Sequence, residues 1–287
     1  MDLKFTILNG TGNRFAVTNY MGESQAKALN EYFEVSSLSI LAKKMCSIFK
    51  VDGFIILTEP KEKNSDYSWL FFNADGSKAE MCGNAARCVG SLAFKNHIAE
   101  EEHTFDSIAG PISVSVLLEE NIVKVEMTPL EVLNLKQSFS EEHSPLGKPF
   151  LYHFVNSGVP HCVIPLEEFS QHQTWKESAR KIRNLTKVFP NGTNVTFYQA
   201  LNANEILAVS YERGVEDFTL ACGTGAVAAA YCHNLTSSAG LIKVQMPGGG
   251  VSVDFSGNRP YLTGPVAYES TLFNEDIEEL WKNSYTD

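Results

Sequence analysis

The stretch Met81-Cys82-Gly83-Asn84-Ala85-Ala86-Arg87-Cys88 holds residue types suited to proton transfer, and a second copy of its core stands at Ala221-Cys222-Gly223-Thr224-Gly225-Ala226. Helix formers with a small apolar face follow each copy: Ala85, Ala86, Val89, Leu92 and Ala93 after the first, Ala226 to Ala230 after the second. This pattern predicts that each cysteine sits where a loop enters a buried helix. At such a position the unpaired N–H groups and the positive end of the helix dipole hold an anion such as a carboxylate. The same field is expected to lower a thiol pKa from about 8.5 toward about 7 or below, so that thiolate is available at neutral pH. Gly83 and Gly223 leave the backbone open to a ligand. A single Cys-Gly reads most simply as a small hydrophobe at a tight helix entry; the repetition at positions 82 and 222 argues instead for two thiols facing one substrate.

Two such thiols invite one chemistry. A carbon held between them loses a proton to one thiolate and receives a proton from the other thiol on its opposite face, which inverts a stereocentre without breaking any other bond. A carbon next to a carboxylate is a very weak acid. It needs a desolvated base, and it needs the developing carbanion charge stabilised by fixed N–H groups and helix dipoles. Holding the carbon about 3 to 3.5 Å from each sulfur supplies the proximity effect. Nothing in the sequence suggests pyridoxal phosphate chemistry or a metal site, so no cofactor is expected.

The elements that must position these cysteines repeat in the same order in both halves. An apolar strand opening at Met1 to Leu8 runs into Asn9-Gly10-Thr11-Gly12-Asn13-Arg14, a tight turn, and then into Phe15-Ala16-Val17. It is no dinucleotide fingerprint, because a strand and not a phosphate-binding helix follows the glycines. Ser36 to Phe49 has helical spacing, Phe54 to Leu57 and Trp69 to Phe72 read as strands around the polar turn Glu59 to Asp66, and the turn Asn73 to Ser77 leads to Cys82. Ile112 to Leu118 and Ile122 to Met127 read as a hairpin around Glu119-Glu120-Asn121 that closes the first half. In the second half Phe154 to Ile164 is again strand, glycine turn and strand, Gln171 to Leu185 is a polar helical stretch, and Asn194 to Tyr198 and Ile206 to Tyr211 are strands. Glu212-Arg213-Gly214 then leads to Cys222. The intervals from Gly12 to Cys82 and from Gly158 to Cys222, 70 and 64 positions, are close enough to indicate a duplicated domain.

Composition sets the outer bounds. With 287 residues the chain suits two domains, and 44% hydrophobic with 20% charged residues is ordinary for a soluble globular protein. A formal net charge of −11 argues against nucleic acid or an anionic membrane as partner. No signal-peptide pattern or long apolar run is present, so a cytoplasmic location is expected. The six cysteines lack Cys-x-x-Cys spacing, which favours reduced thiols over a disulfide framework or zinc site; Cys46, Cys88, Cys162 and Cys232 are assigned to the core.

These residues resemble a known family. Phe72-Asn73-Ala74-Asp75-Gly76-Ser77 through Cys88, Tyr211-Glu212-Arg213-Gly214, Ala221 to Ala226, Met246-Pro247-Gly248-Gly249 and Leu262-Thr263-Gly264-Pro265-Val266-Ala267-Tyr268 together look like diaminopimelate epimerase, in order and over nearly the whole chain. The resemblance implies a pyridoxal-independent epimerase of α/β (α+β) class, with two pseudo-symmetric domains, each a sheet wrapped around a central helix, and the active site in the cleft between them. The expected halves are 1–128 joined by the C-terminal segment 271–287, and 129–270. Cys82 and Cys222 match the paired acid and base. Asn13, Asn73, Asn194, Glu212 and Arg213 match substrate-binding positions, the Gly83-Asn84 and Gly223-Thr224 amides match those that grip the reacting carboxylate, and His161 matches a histidine that supports the thiol pair. The implied partner is a small amino-acid substrate, diaminopimelate, and the implied assembly a homodimer.

Taken singly, each of these residues also has a plainer role. Asn13, Asn73 and Asn194 suit turns, Glu212-Arg213 suits a solvated ion pair at a strand end, and His161 suits a packed ring. Several positions depart from the family pattern: in Gly158-Val159-Pro160-His161, Val159 replaces the Asn of the common Gly-Asn-Pro-His, Arg14 replaces an Asp, Cys46 to Gly53 lacks Gly-Ile-Gly, and Phe218 stands where a Glu is common. A substrate end that loses a buried partner costs about 1 to 3 kcal/mol, so these changes bear on recognition of the distal amino-acid centre. Interconversion of LL- and meso-diaminopimelate, a step of lysine and peptidoglycan-precursor synthesis, is the leading expectation. The nearest alternative is a cofactor-independent racemase of another amino acid, and a further class is a thiol redox or binding protein in which Cys82 and Cys222 pair as a disulfide.

Overall fold

A computed structural model describes residues 4–19, 29–117, 121–141, 144, 147–169 and 172–284. The chain divides into two units, Met1–Val125 with Pro265–Asp287, and Glu126–Gly264.

In the first unit, β1 (Lys4–Gly10) and β2 (Asn13–Asn19) are buried on both faces, which is why Phe5 to Leu8 and Phe15 to Val17 read as continuous runs and not as alternation. Helix α1 (Leu38–Phe49) starts at Ser37, whose side chain accepts the Ile40 N–H, and stops at Lys50 in the left-handed conformation. Strands β3 (Gly53–Thr58) and β4 (Tyr67–Asn73) follow, then α2 (Gly83–Lys95), β5 (Glu102–Ser107), β6 (Gly110–Leu117) and β7 (Ile122–Glu126). The expected hairpin is thus β6 and β7, while its residues Leu118, Glu119 and Glu120, like Met1 to Leu3 of the first strand, lie outside the described residues.

The second unit runs β8 (Glu131–Phe139), β9 (Phe150–Asn156), β10 (Pro160–Leu166), a 3-10 turn His172–Trp175, α3 (Lys176–Arg183), β11 (Asn194–Asn202), β12 (Glu205–Glu212) and the short β13 (Asp217–Phe218). It continues with α4 (Gly223–Ser237), β14 (Leu241–Met246), β15 (Gly249–Asp254) and β16 (Tyr261–Pro265). Gln171, the first residue of the expected helical stretch, lies outside the described residues. The chain then returns to the first unit through β17 (Ala267–Phe273), which pairs with β1, and α5 (Asn274–Asn283).

The duplication is visible in the strand pairing. The first unit is ordered β17-β1-β2-β3-β4-β5-β6-β7, antiparallel at every step except β2 to β3 and β4 to β5. The second is ordered β8-β9-β10-β11-β12-β14-β15-β16, antiparallel at every step except β10 to β11 and β12 to β14. Each parallel step needs a crossover, supplied by α1 and α2 in one unit and by α3 and α4 in the other.

Helices α2 and α4 are the encased ones. Every residue of α2 from Gly83 to Ala93 is buried, as are Gly223 and Gly225 to Ala230 of α4, so small residues on all sides are required and not one apolar stripe. Two glycines set the closeness: a Cβ on Gly90 would stand 2.6 Å from Val114 Cγ1 of β6, and one on Gly225 would stand 2.1 Å from Ser210 Oγ of β12. Around α1, Phe5, Phe49, Phe54 and Met45 share one core, and Phe189, Phe197, Tyr211 and Ile182 share another beside α3. Each such fully buried side chain contributes about 1.5 to 3 kcal/mol by leaving water. No helix among the described residues is long and apolar enough to cross a membrane.

Candidate active site

Both expected cysteines occupy the N-cap of an encased helix. Cys82 is extended (φ −146, ψ 121) and its carbonyl accepts the Ala86 N–H at 2.8 Å; Cys222 is extended (φ −137, ψ 103) and accepts Ala226 N–H at 2.8 Å in the same way. The next amides, Gly83-Asn84 and Gly223-Thr224, belong to first turns that have no preceding carbonyls to bond, so each helix presents donors beside its thiol.

The two thiols differ in environment. Cys82 is half-buried and its sulfur does not cap the helix. Cys222 is 4% exposed, accepts the Gly225 N–H at 3.4 Å and lies 3.5 Å from Thr224 Oγ1. Burial pushes the Cys222 thiol well above its usual range, and the Glu212 carboxylate adds to the rise; hydrogen bonds from Thr224, Gly225 and Ser210 oppose it. The lowered pKa expected from the helix field is therefore not what the surroundings of Cys222 give: burial of the sulfur, helped by Glu212, raises it.

His161 is completely buried, and loss of hydration brings its pKa down to about 3, so the ring is neutral. Its Nε2 meets Thr224 Oγ1 at 3.0 Å and its Nδ1 meets Thr196 Oγ1 at 2.8 Å. Thr196 Oγ1 lies 2.8 Å from Ser210 Oγ, its cross-strand partner between β11 and β12. Cys222, Thr224, His161, Thr196 and Ser210 thus form one line of hydrogen bonds that begins at the thiol. Ser210 Oγ and Cys222 Sγ flank the same missing Cβ of Gly225, at 2.1 and 3.2 Å from it, so the line bends back toward the sulfur.

Asn194 stands opposite His161 in the β10–β11 ladder, and its Oδ1 accepts the Arg213 N–H at 2.9 Å. Glu212 accepts from Thr219 Oγ1 at 2.5 Å, and the exposed Arg213 donates Nη1 to the Asn191 carbonyl at 2.7 Å. The second unit therefore gathers Cys222, Gly223, Thr224, His161, Asn194 and Glu212-Arg213 around the end of α4.

In the first unit, Asn84 Nδ2 donates to Asn13 Oδ1 at 2.6 Å, which joins the Gly12 turn to the start of α2. Asn13 Nδ2 reaches Asp52 Oδ2 at 3.4 Å. Asn73 is exposed at the end of β4 and binds its own turn, with Nδ2 donating to Ser77 Oγ at 3.0 Å, so its carboxamide is used locally.

The departures from the family pattern have local explanations. Arg14 pairs with Glu269 at 2.7 Å and donates Nη1 to the Lys50 carbonyl at 2.6 Å, so its charge serves β17 and the C-terminus of α1. Gly53 is closed in by Phe71, whose ring would lie 2.7 Å from a Cβ there. Phe218 packs edge-on against Tyr211 at 5.8 Å and extends the apolar cluster of the second unit. Val159 is half-exposed, next to the Gly158 turn.

Three site-linked residues carry no signal in the sequence that would assign them. Thr196 and Ser210 left no mark in the sequence, since a polar residue in a strand reads as facing solvent. Asp52, which accepts the Arg14 N–H at 2.8 Å, had only its place before β3. All six cysteines are free thiols, and Cys46, Cys88, Cys162 and Cys232 are buried.

Known proteins share this fold. A hydroxyproline epimerase from Agrobacterium vitis has the same fold with a TM-score of 0.68 at 12% identity, over 95% of this chain and 92% of that one. A PhzF-family phenazine biosynthesis protein from Bacillus anthracis aligns with a TM-score of 0.70 at 12% identity, over 96% and 99%. At such identities the likeness concerns the fold alone. The diaminopimelate epimerase of Aquifex aeolicus (strain VF5) is 34% identical over 96% of this chain and 100% of its own length, and that of Helicobacter pylori (strain P12) is 36% identical over 82% and 84%. The sequence model of the family described as diaminopimelate epimerase matches residues 5–133 and 153–269, taking in most of both units and both N-cap cysteines. The chain belongs to the diaminopimelate epimerase family.

Proposed function

We propose that this chain interconverts LL- and meso-diaminopimelate without a cofactor, in lysine and peptidoglycan-precursor synthesis, with Cys82 and Cys222 as the two-base pair. One observation carries the reading: each duplicated unit opens its encased helix with a Cys-Gly N-cap. In one direction the Cys82 thiolate takes the α-proton, breaking C–H and forming S–H, while the Cys222 thiol gives its proton to the opposite face. The electron pair left on carbon spreads onto the carboxylate, which the Gly83-Asn84 and Gly223-Thr224 amides would hold. The raised pKa of Cys222 suits it to wait as the thiol. Asn13, Asn73, Asn194, Glu212 and Arg213 are proposed to bind the substrate, and His161 to support the thiol chemistry through Thr224. The same reading places the enzyme in the cytoplasm as a homodimer with a small amino-acid substrate and neither nucleic acid nor membrane as partner.

Incorporation of deuterium at the α-carbon of LL-diaminopimelate in heavy water, under reducing conditions, tests this. Exchange and inversion are expected for the parent and are lost in Cys82→Ala and Cys222→Ala. Exchange only on another amino acid, or none on any, overturns the assignment.

A further inference from the structure

Arg87 is a charged residue inside a wholly buried helix segment, and it is 0% exposed. Its Nη1 donates to the Pro265 carbonyl at 2.7 Å, and its Nη2 donates to Thr11 Oγ1 at 2.9 Å and to Asn84 Oδ1 at 2.7 Å. All three acceptors are neutral, and Nε is buried without a partner. Among the described residues no carboxylate forms an ion pair with it. A buried guanidinium so placed is costly unless an anion offsets it, and the adjacent start of α2 is itself the positive end of a dipole.

Which anion can answer it is decided by the neighbours. The charges that act on Arg87 are those of Cys88 and Cys82. Cys88 is fully buried and burial pushes its pKa up to about 12, which keeps it neutral. From the elements packed on α2, Glu269 of β17 is taken by Arg14, Tyr268 bonds Ser91, His103 of β5 bonds the Glu100 carbonyl and Tyr67, and Asp52 meets Asn13 and the Arg14 N–H. Cys82, half-buried at the N-cap, is the remaining candidate anion. The same guanidinium orders the carboxamides. By occupying Asn84 Oδ1 it turns Asn84 Nδ2 toward Asn13 Oδ1, which fixes Asn13 Nδ2 as the donor end of the pair: one N–H reaches Asp52 Oδ2 at 3.4 Å and the second remains to be given to a ligand.

We propose that Arg87 is the positioning residue of the first unit: it orients the Asn84–Asn13 pair as a donor to substrate, and its charge favours the thiolate of Cys82. The orienting half rests on the diaminopimelate reading; the thiolate half does not.

The test measures the rate of Cys82 alkylation by iodoacetamide against pH, read by mass spectrometry on the whole chain, for the parent, Arg87→Gln and Arg87→Lys. The glutamine variant is expected to move the midpoint up by about one pH unit, about tenfold slower labelling near neutrality. The lysine variant keeps the charge and is expected to keep the midpoint. A lysine ammonium cannot reproduce the planar fork that reaches three acceptors, so Arg87→Lys should raise KM for diaminopimelate about threefold or more with a smaller change in kcat. A folded Arg87→Gln whose labelling profile coincides with the parent's overturns the charge role, and an unchanged KM in Arg87→Lys overturns the orienting role. Should Arg87→Gln not melt cooperatively, Arg87→Lys decides by its KM-to-kcat split. Lack of turnover in the parent would sink the substrate reading and leave the labelling test intact.

Discussion

At Cys222 a helix dipole and several hydrogen bonds favour the thiolate, while burial and Glu212 disfavour it, and burial wins. Reactivity toward a soluble alkylating agent should follow: Cys82, half-buried, is expected to label first in the native protein, with Cys222 protected, as peptide mapping after brief iodoacetamide treatment would show. The hydroxyl line beyond Cys222 makes a second prediction. Thr196→Val or Ser210→Ala leaves a buried partner unsatisfied, and each should cost about 1 to 3 kcal/mol in urea unfolding and lower kcat more than it raises KM. His161 supplies a pH dependence. Its folded pKa is near 3 and its unfolded pKa near 6.5, so below about pH 6.5 the unfolded chain binds a proton that the native one refuses. Stability from this group is complete above that value and falls by about 1.4 kcal/mol per pH unit as pH drops toward 3. Urea midpoints of the parent and His161→Gln at a few pH values check this; the variant should show a slope shallower by one proton.

At the scale of elements, the encased helices are held by contacts that tolerate no added atom. Gly225→Ala would drive a Cβ to 2.1 Å from Ser210 Oγ, and overpacking of this kind costs about 1 to 3 kcal/mol. Combining it with Ser210→Gly should recover part of the loss, so a double-mutant cycle on thermal stability is expected to show a favourable coupling between the two positions. Additive effects would mean that the clash is relieved elsewhere. Arg14 acts at this scale too: it ties the C-terminal carbonyls of α1 to Glu269 on β17, and hydrogen bonding by Arg14, then by Asn9, holds the Glu269 carboxyl below its usual pKa.

For the molecule as a whole, two units with the same succession of parallel and antiparallel steps each bring their own core. The second unit is continuous in sequence, whereas the first is completed by β17 and α5 after the second has ended. A fragment of residues 126–264 is therefore expected to fold by itself with a cooperative urea transition, and to show no α-proton exchange because Cys82 is not part of it. A non-cooperative fragment would mean that the second core needs the first.

The sequence by itself determined the repeated Cys-Gly helix entry, the strands around Phe54, Trp69, Asn194 and Ile206, and the helix ending near Phe49, because apolar periodicity and glycine placement are local signals. It was silent on β5, β8, β14, β15 and α5, whose patterns are short or half-exposed. Only the tertiary structure decided that Arg87 lies buried among neutral oxygens, that Thr196 turns to His161 and Ser210 to Thr196 and not to solvent, and that burial raises the Cys222 thiol. Each of these depends on how much water a side chain keeps and which distant strand supplies its partner, and neither quantity is encoded in spacing along the chain.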